Sequence, residues 1–195
     1  MTAEKCTQVI AVTNRKLCTR PFLEQIKRAA EQKPHAMILR EKDLTEGEYE
    51  ELAEKVMEIC KNQGVDCILH TYMDAARRLG CRKIHLPLWL FEQKKSENLQ
   101  FANEYGFEAI GVSTHSLKDA VLAEELGASY ITAGHIFVTD CKKGLEPRGL
   151  DFLKEVCEGV NIPVYAIGGI HPYNQEAPIR AGAAGVCMMS EFMKL

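Results

Sequence analysis

Ser116-Leu117-Lys118-Asp119-Ala120-Val121-Leu122-Ala123-Glu124-Glu125-Leu126-Gly127 leads within three residues into Tyr130-Ile131-Thr132-Ala133, and this stretch holds one whole helix-to-strand unit. Ser116 can cap the helix, and Asp119, three residues on, adds negative charge to its first turn. Leu117, Val121 and Leu122 mark an apolar stripe, with Lys118, Glu124 and Glu125 on the wet face. Gly127 ends the helix, because glycine at this position takes the left-handed conformation at little cost. The run from Tyr130 to Ala133 is short and apolar, as expected for a strand covered on both faces.

The same pattern recurs along the chain. A glycine stops a helix at Gly64 before Cys67-Ile68-Leu69, at Gly80 before Lys83-Ile84-His85-Leu86, and at Gly182 before Gly185-Val186-Cys187-Met188. Strands centre near Val9, Met37, Ile68, Ile84, Ile110, Ile131, Val164 and Val186. Helices are expected over Pro21 to Lys33, Thr45 to Asn62, Met73 to Leu79, Ser96 to Tyr105, Ser116 to Leu126, Leu150 to Cys157 and Asn174 to Arg180. Only the stub Ser190 to Leu195 follows the last strand. Eight alternating units predict an α/β fold, a single (β/α)8 TIM barrel over residues 1–195 with a shortened last helix. The runner-up is an open doubly wound sheet, but no G-x-G-x-x-G follows the first strand.

Composition narrows the function. The 195 residues carry a net charge of −3 with signs mixed and no basic block, which argues against a nucleic-acid partner or an anionic membrane surface. No apolar run approaches spanning length, and Met1-Thr2-Ala3-Glu4-Lys5 shows no secretory signal pattern. The eight cysteines form no C-x-x-C pair and no metal-ligand spacing. Most, such as Cys67, Cys157 and Cys187, sit in apolar segments, so they read as small buried thiols in a reducing cytoplasm.

In such a barrel, chemistry sits at the C-terminal strand ends. That rule selects Thr13 and Asn14; Arg40, Glu41 and Lys42; His70; Pro87; Ser113, Thr114 and His115; His135; Gly168 and Gly169; and Met189 and Ser190. The loops after strands seven and eight are the usual phosphate site. Gly168-Gly169 lets backbone N–H groups approach an anion without a Cβ in the way, and Met189-Ser190 brings a hydroxyl to the start of a helical stub. Arg40, Lys42 and Lys142 could neutralise a second anionic group. His135 is the candidate acid/base, since an imidazole can take a proton and return it near neutral pH. The other histidines read more readily as local hydrogen-bonding residues, His85 within an apolar strand and His115 at a helix cap.

Leu39-Arg40-Glu41-Lys42, Ile84-His85-Leu86, Gly111-Val112-Ser113-Thr114-His115-Ser116, Ala166-Ile167-Gly168-Gly169-Ile170 and the Met189-Ser190 strand end resemble the thiamin-phosphate synthase superfamily of barrels. Within it, the segment from Gly134-His135-Ile136-Phe137 through Val138-Thr139-Asp140-Cys141-Lys142-Lys143-Gly144 is most similar to the thiazole tautomerase branch. Synthases usually carry a proline where this chain has His135. They also carry Asn-Asp where it has His70-Thr71, and an acidic metal ligand after strand four where it reads Pro87-Leu88-Trp89-Leu90-Phe91.

The resemblance implies an isomerase of thiamin biosynthesis. It would convert a dihydrothiazole carboxylate phosphate to the aromatic thiazole carboxylate phosphate with His135 as proton shuttle and no metal or other cofactor. Gly168, Gly169, Met189 and Ser190 would hold the phosphate. Arg40, Lys42, Ser113, Thr139 and Lys142 would contact the remainder of a small-molecule thiazole phosphate, with Trp89 as a wall. Alternatives are a divergent thiamin-phosphate synthase and a non-catalytic, regulatory protein that binds a thiazole phosphate; a homo-oligomer is left open.

Overall fold

A computed structural model describes residues 8–139, 142 and 144–195. Eight parallel strands close into a barrel in sequence order: β1 (Gln8–Val12), β2 (Ala36–Leu39), β3 (Asp66–His70), β4 (Lys83–Pro87), β5 (Ala109–Thr114), β6 (Tyr130–Gly134), β7 (Val164–Ile167) and β8 (Gly185–Met188). Each expected strand centre lies in its strand. The open-sheet alternative is overturned by closure, since β1 pairs with β8 from Gln8↔Gly185 to Ala11↔Met188.

The helices are α1 (Phe22–Glu31), α2 (Glu46–Gln63), α3 (Met73–Arg78), α4 (Leu88–Glu97), α5 (Phe101–Tyr105), α6 (Leu117–Glu125), α7 (Gly149–Gly159), α8 (Glu176–Arg180) and α9 (Ser190–Met193). Gly64, Gly80, Gly127 and Gly182 all have positive φ, as their helix-stopping role requires. Ser116 caps α6 by accepting from the Asp119 N–H, and Thr45 caps α2 in a reciprocal box with Glu48. A short 3-10 turn at Arg15–Leu17, capped by Asn14, was not expected.

One helix assignment needs correction. The expected Ser96–Tyr105 helix is two helices, α4 and α5, broken at Asn98 with extended φ −155°. The segment after Pro87 is α4 rather than a loop. Its Leu-Trp-Leu-Phe start has no helical apolar period, because Phe91 turns into the core while Trp89 stays exposed. No helix among the described residues is long and apolar enough to cross a membrane.

Side chains alternate across the barrel wall. Ile10, Val12, Ala36, Ile38, Ile68, Tyr165 and Cys187 fill the interior, with Tyr130, Ile167 and Met189 packed on them. The opposite strand faces pack beneath the helices in a larger cluster that includes Ile26, Leu39, Val56, Leu86, Ile131 and Val186. Two glycines make room for interior tyrosines: a Cβ on Gly111 would run into the Tyr130 ring, and one on Gly185 would lie 2.7 Å from the Tyr165 ring. The six described cysteines are free thiols; Cys187 is buried as expected, with Cys60 and Cys81, whereas Cys67 and Cys157, also expected to be buried, are half-buried.

The stub α9 completes the wall. Phe192 and Met193 are buried, and Gln25 of α1 donates from Nε2 to the Phe192 carbonyl at 2.6 Å. Beyond α1, the fully buried Tyr49 of α2 joins two strand ends. Its hydroxyl donates to the Leu39 carbonyl at 2.7 Å and accepts from the His70 N–H at 2.8 Å. Tyr49→Phe would leave both backbone groups unsatisfied in the core, and should destabilise the protein by about 2 kcal/mol in urea unfolding. An unchanged midpoint would mean water replaces the hydroxyl.

Candidate active site

Every candidate residue within the described part lies at or just beyond a C-terminal strand end, so the barrel gathers them at one mouth. Of the stretch that distinguishes this chain, Asp140, Cys141 and Lys143 lie outside the described residues.

His135 follows β6 directly and is only 6% exposed. The Gly134–His135 peptide is cis. The His135 Nε2 lies 3.3 Å from the Leu145 carbonyl, and the His135 carbonyl accepts from the Arg148 N–H at 3.0 Å, so the loop before α7 folds over the ring. From the other side, the His115 Nδ1 sits 2.9 Å from the Gly134 carbonyl. His115 therefore does more than sit beside a cap, although its backbone N–H does donate to Asp119 at 2.9 Å.

Gly168 and Gly169 pack against this same segment. A Cβ on Gly168, at φ +100°, would overlap the His135 Cβ and approach its Cα to 2.7 Å. One on Gly169, at φ +66°, would overlap the Val138 carbonyl and lie 2.8 Å from the Phe137 Cβ. The Ile136 and Phe137 N–H groups donate to the carbonyls of Ile167 and Gly168, each at 3.0 Å. The sequence reading explained the two glycines by approach to an anion. Close packing on residues 135–138 is the requirement visible here, and it puts His135 in contact with the loop after β7. Gly168→Ala should displace His135 and cost about 2 kcal/mol or more, through both overlap and the positive φ. Thermal unfolding at the wild-type midpoint would contradict this packing.

The other candidates divide into groups. Met189 turns to the β1 side, where its Sδ accepts weakly from the Asn14 Nδ2 at 3.8 Å, so the structure does not bring its side chain to the glycines. Ser190 is the first residue of α9, one turn long. Thr139 and Lys142 are both half-buried, and the Lys142 N–H donates to the Thr139 carbonyl at 3.1 Å. Partial burial of the ammonium, then the nearby Arg40 and Lys142 charges, lower the Lys42 pKa. The charges of Arg40 and Lys142 are therefore near enough to act on Lys42. Glu41 is not available to them as a simple counter-charge. Its buried carboxylate accepts from the Thr13 hydroxyl at 2.7 Å and the Arg15 N–H at 3.1 Å, and meets the Arg15 guanidinium at 3.3 Å.

Sequence reasoning undervalued two histidines. His70 and His85 are buried and stack with ring centroids 5.7 Å apart. His85 Nε2 lies 2.8 Å from the Ser113 Oγ, and its Nδ1 3.1 Å from the Tyr130 hydroxyl. Ser113 is therefore engaged within the wall. The signal lay in the alternation of Lys83, His85 and Pro87 against Ile84 and Leu86: in a barrel strand the first set faces inward. Thr71 adopts φ +69°, uncommon for a β-branched residue, and holds the His70 Nδ1 at 2.6 Å through its hydroxyl. His70, Thr71, Tyr72, Pro87, Trp89, Lys42 and Glu41 line a cleft of about 180 Å³. Trp89 reaches it from the first turn of α4, whereas Phe137 packs on the core.

The chain matches a family described as thiamine monophosphate synthase (TMP-TENI) over residues 9–192. It belongs to that family of thiamine biosynthesis. It is 34% identical over 189 residues to a putative thiamine-phosphate synthase 2 of Aquifex aeolicus, covering 96% of this chain and 98% of that one. A thiamine-phosphate synthase of Clostridium novyi is 30% identical over 162 residues, 80% of this chain and 75% of its own. Among solved structures, thiamine phosphate pyrophosphorylase from Pyrococcus furiosus superposes with a TM-score of 0.78 at 27% identity, over 94% of this chain and 86% of that one.

Membership of the thiamine monophosphate synthase family raises the question of magnesium, which prefers carboxylate and other hard oxygen ligands. The donor set does not fit it at the ends of β3 and β4, where His70, Thr71 and Pro87 stand and the cleft's carboxylate, Glu41, is already held by Thr13 and Arg15. Among the described residues no cluster of His, Cys, Asp and Glu could hold a metal ion.

Burial, followed by the Arg40 and Lys42 charges, pushes the His85 pKa down to about 3, and the same causes with His85 itself lower His70. Below its ordinary value near 6.5, the unfolded chain takes up a proton that folded His85 refuses. Stability should therefore fall as pH drops from about 6.5 toward 3. Urea midpoints across this window should slope less in His85→Gln than in wild type. Equal slopes would assign the loss to other groups.

Proposed function

We propose that this chain is a thiazole tautomerase acting on a dihydrothiazole carboxylate phosphate. The observation that carries the reading is His135, a buried histidine whose Cα and Cβ pack directly on Gly168 at the junction of the β6 and β7 loops. The C2–H bond breaks as the His135 imidazole takes the proton. The C2–H pair becomes a ring double bond, the ring π electrons shift, the exocyclic double bond breaks, and its electron pair takes the same proton at the exocyclic carbon. Aromatisation drives the step, and no electrons leave the substrate. To act, His135 exchanges its contact with the Leu145 carbonyl for the substrate. The loops at Gly168-Gly169 and Met189-Ser190 would hold the phosphate. Arg40, Lys42 and Lys142 would meet the carboxylate, with Thr139 near Lys142, while Ser113 would act through His85, which it contacts.

The names of the relatives favour a second reading, a divergent thiamin-phosphate synthase that joins a pyrimidine pyrophosphate to a thiazole phosphate and releases pyrophosphate. The same three cations suit a pyrophosphate. Against it stand His135 and the lack of carboxylates at the β3 and β4 ends. A regulatory protein that binds a thiazole phosphate without turnover would keep the phosphate loops but would not need the histidine.

Proton NMR in D₂O separates these readings. With the dihydrothiazole carboxylate phosphate, wild type should speed formation of the aromatic product. His135→Ala should keep phosphate-ligand binding but slow turnover by roughly a hundredfold or more. Equal turnover in the variant would remove His135 from the mechanism. Pyrophosphate release from the pyrimidine substrate with magnesium would favour the synthase, and binding without either reaction the regulatory reading.

A further inference from the structure

Next to the proposed phosphate loops lies a side-chain network that the tautomerase mechanism does not use. His171 Nδ1, on the loop after β7, sits 2.7 Å from the Glu191 Oε1 in α9. The His171 N–H donates to the Asn174 Oδ1 at 2.8 Å, and the Asn174 Nδ2 donates to the Gly169 carbonyl at 2.9 Å. Tyr173 covers one face of the His171 ring, with centroids 5.1 Å apart and planes 6° from parallel. One connected path therefore runs from Gly169, through Asn174 and His171, to Glu191, the neighbour of Ser190.

We propose that His171, Glu191 and Asn174 form a positioning latch that locks the loops after β7 and β8 into one geometry for a phosphate monoester. This rests on the reading of Gly168-Gly169 and Met189-Ser190 as the phosphate site. Two physical arguments support the latch. A one-turn helix has too few internal hydrogen bonds to fix its own direction. α9 is held on its α1 side by Gln25, and Glu191 supplies the tie on the β7 side. Moreover, a carboxylate one residue from Ser190 would repel an anion if it swung toward it, and the 2.7 Å contact with His171 holds it toward the β7 loop. The His171 and Glu191 side chains are 30% and 37% exposed, so the pair adds little to overall stability. Its effect falls on loop geometry and local charge. His171 and Glu191 act through the loops they hold, as positioning residues.

Calorimetric titration with inorganic phosphate and with the aromatic thiazole carboxylate phosphate tests the latch, alongside thermal unfolding of each variant. His171→Asn should weaken both probes by roughly fivefold or more, because it breaks the tie and leaves Glu191 unpaired near the anion. Glu191→Gln should weaken them less, and the double variant no more than His171→Asn alone, as expected for two residues that act as one unit. Asn174→Ala, which cuts the link to Gly169 without touching the His171–Glu191 contact, should also weaken binding. Melting temperatures should stay close to wild type throughout. Wild-type affinity in His171→Asn and Asn174→Ala, or losses that simply add in the double variant, would overturn the latch while leaving the phosphate site intact. Failure of wild type to bind either probe would remove the phosphate site, and the latch with it.

Discussion

Closure of β1 onto β8 is the constraint on which the rest of the molecule depends. A parallel sheet left open here would expose the edges of both strands and separate the first and last loops of the mouth. The register from Gln8↔Gly185 to Ala11↔Met188 joins them and sets Asn14 beside Met189. The one-turn α9 after β8 supports this closure. Phe192 and Met193 are buried against the wall, and Gln25 reaches across from α1 to the Phe192 carbonyl. The short C-terminal segment thus acts as a plug for the seam.

Closure also decides what the interior holds. Toward the N-terminal end it is a packed mixture of aliphatic residues and tyrosines, with glycines at positions 111 and 185 clearing space for two rings. Toward the mouth it becomes polar, with His70, His85, Ser113 and Thr132 on adjoining strands. Both histidines stay neutral because burial and the Arg40 and Lys42 charges oppose protonation. Neutral imidazoles near the Arg40 and Lys42 charges suit an anionic ligand. The ends of β3 and β4 carry His70, Thr71 and Pro87 rather than carboxylates.

The geometry around His135 joins chemistry to packing. The ring meets the Leu145 carbonyl, the His135 Cα and Cβ pack on Gly168, and the Gly134 carbonyl before it is held by His115. Two glycines that look like an anion cradle are needed first to let residues 135–138 approach β7. One stretch of backbone therefore serves both the proposed proton shuttle and the proposed phosphate site, which couples the position of one to the other.

Much of this was legible in the sequence because it depends on local rules. Helix-stopping glycines, the Ser116 cap and short apolar strands are encoded within a few residues of where they act, so the strand count, their order and the barrel itself could be read in advance. So could the location of the candidate residues, since a parallel barrel delivers every strand's C-terminal end to one face. The break between α4 and α5 was not legible, because Leu88 to Phe91 lacks a helical period. Nor were the stacking of His70 on His85, the Glu41 contacts with Thr13 and Arg15, the approach of Gly168 to His135, or the His171–Glu191 pair. Those residues lie far apart in the chain, and only closure of the barrel brings them within reach of one another.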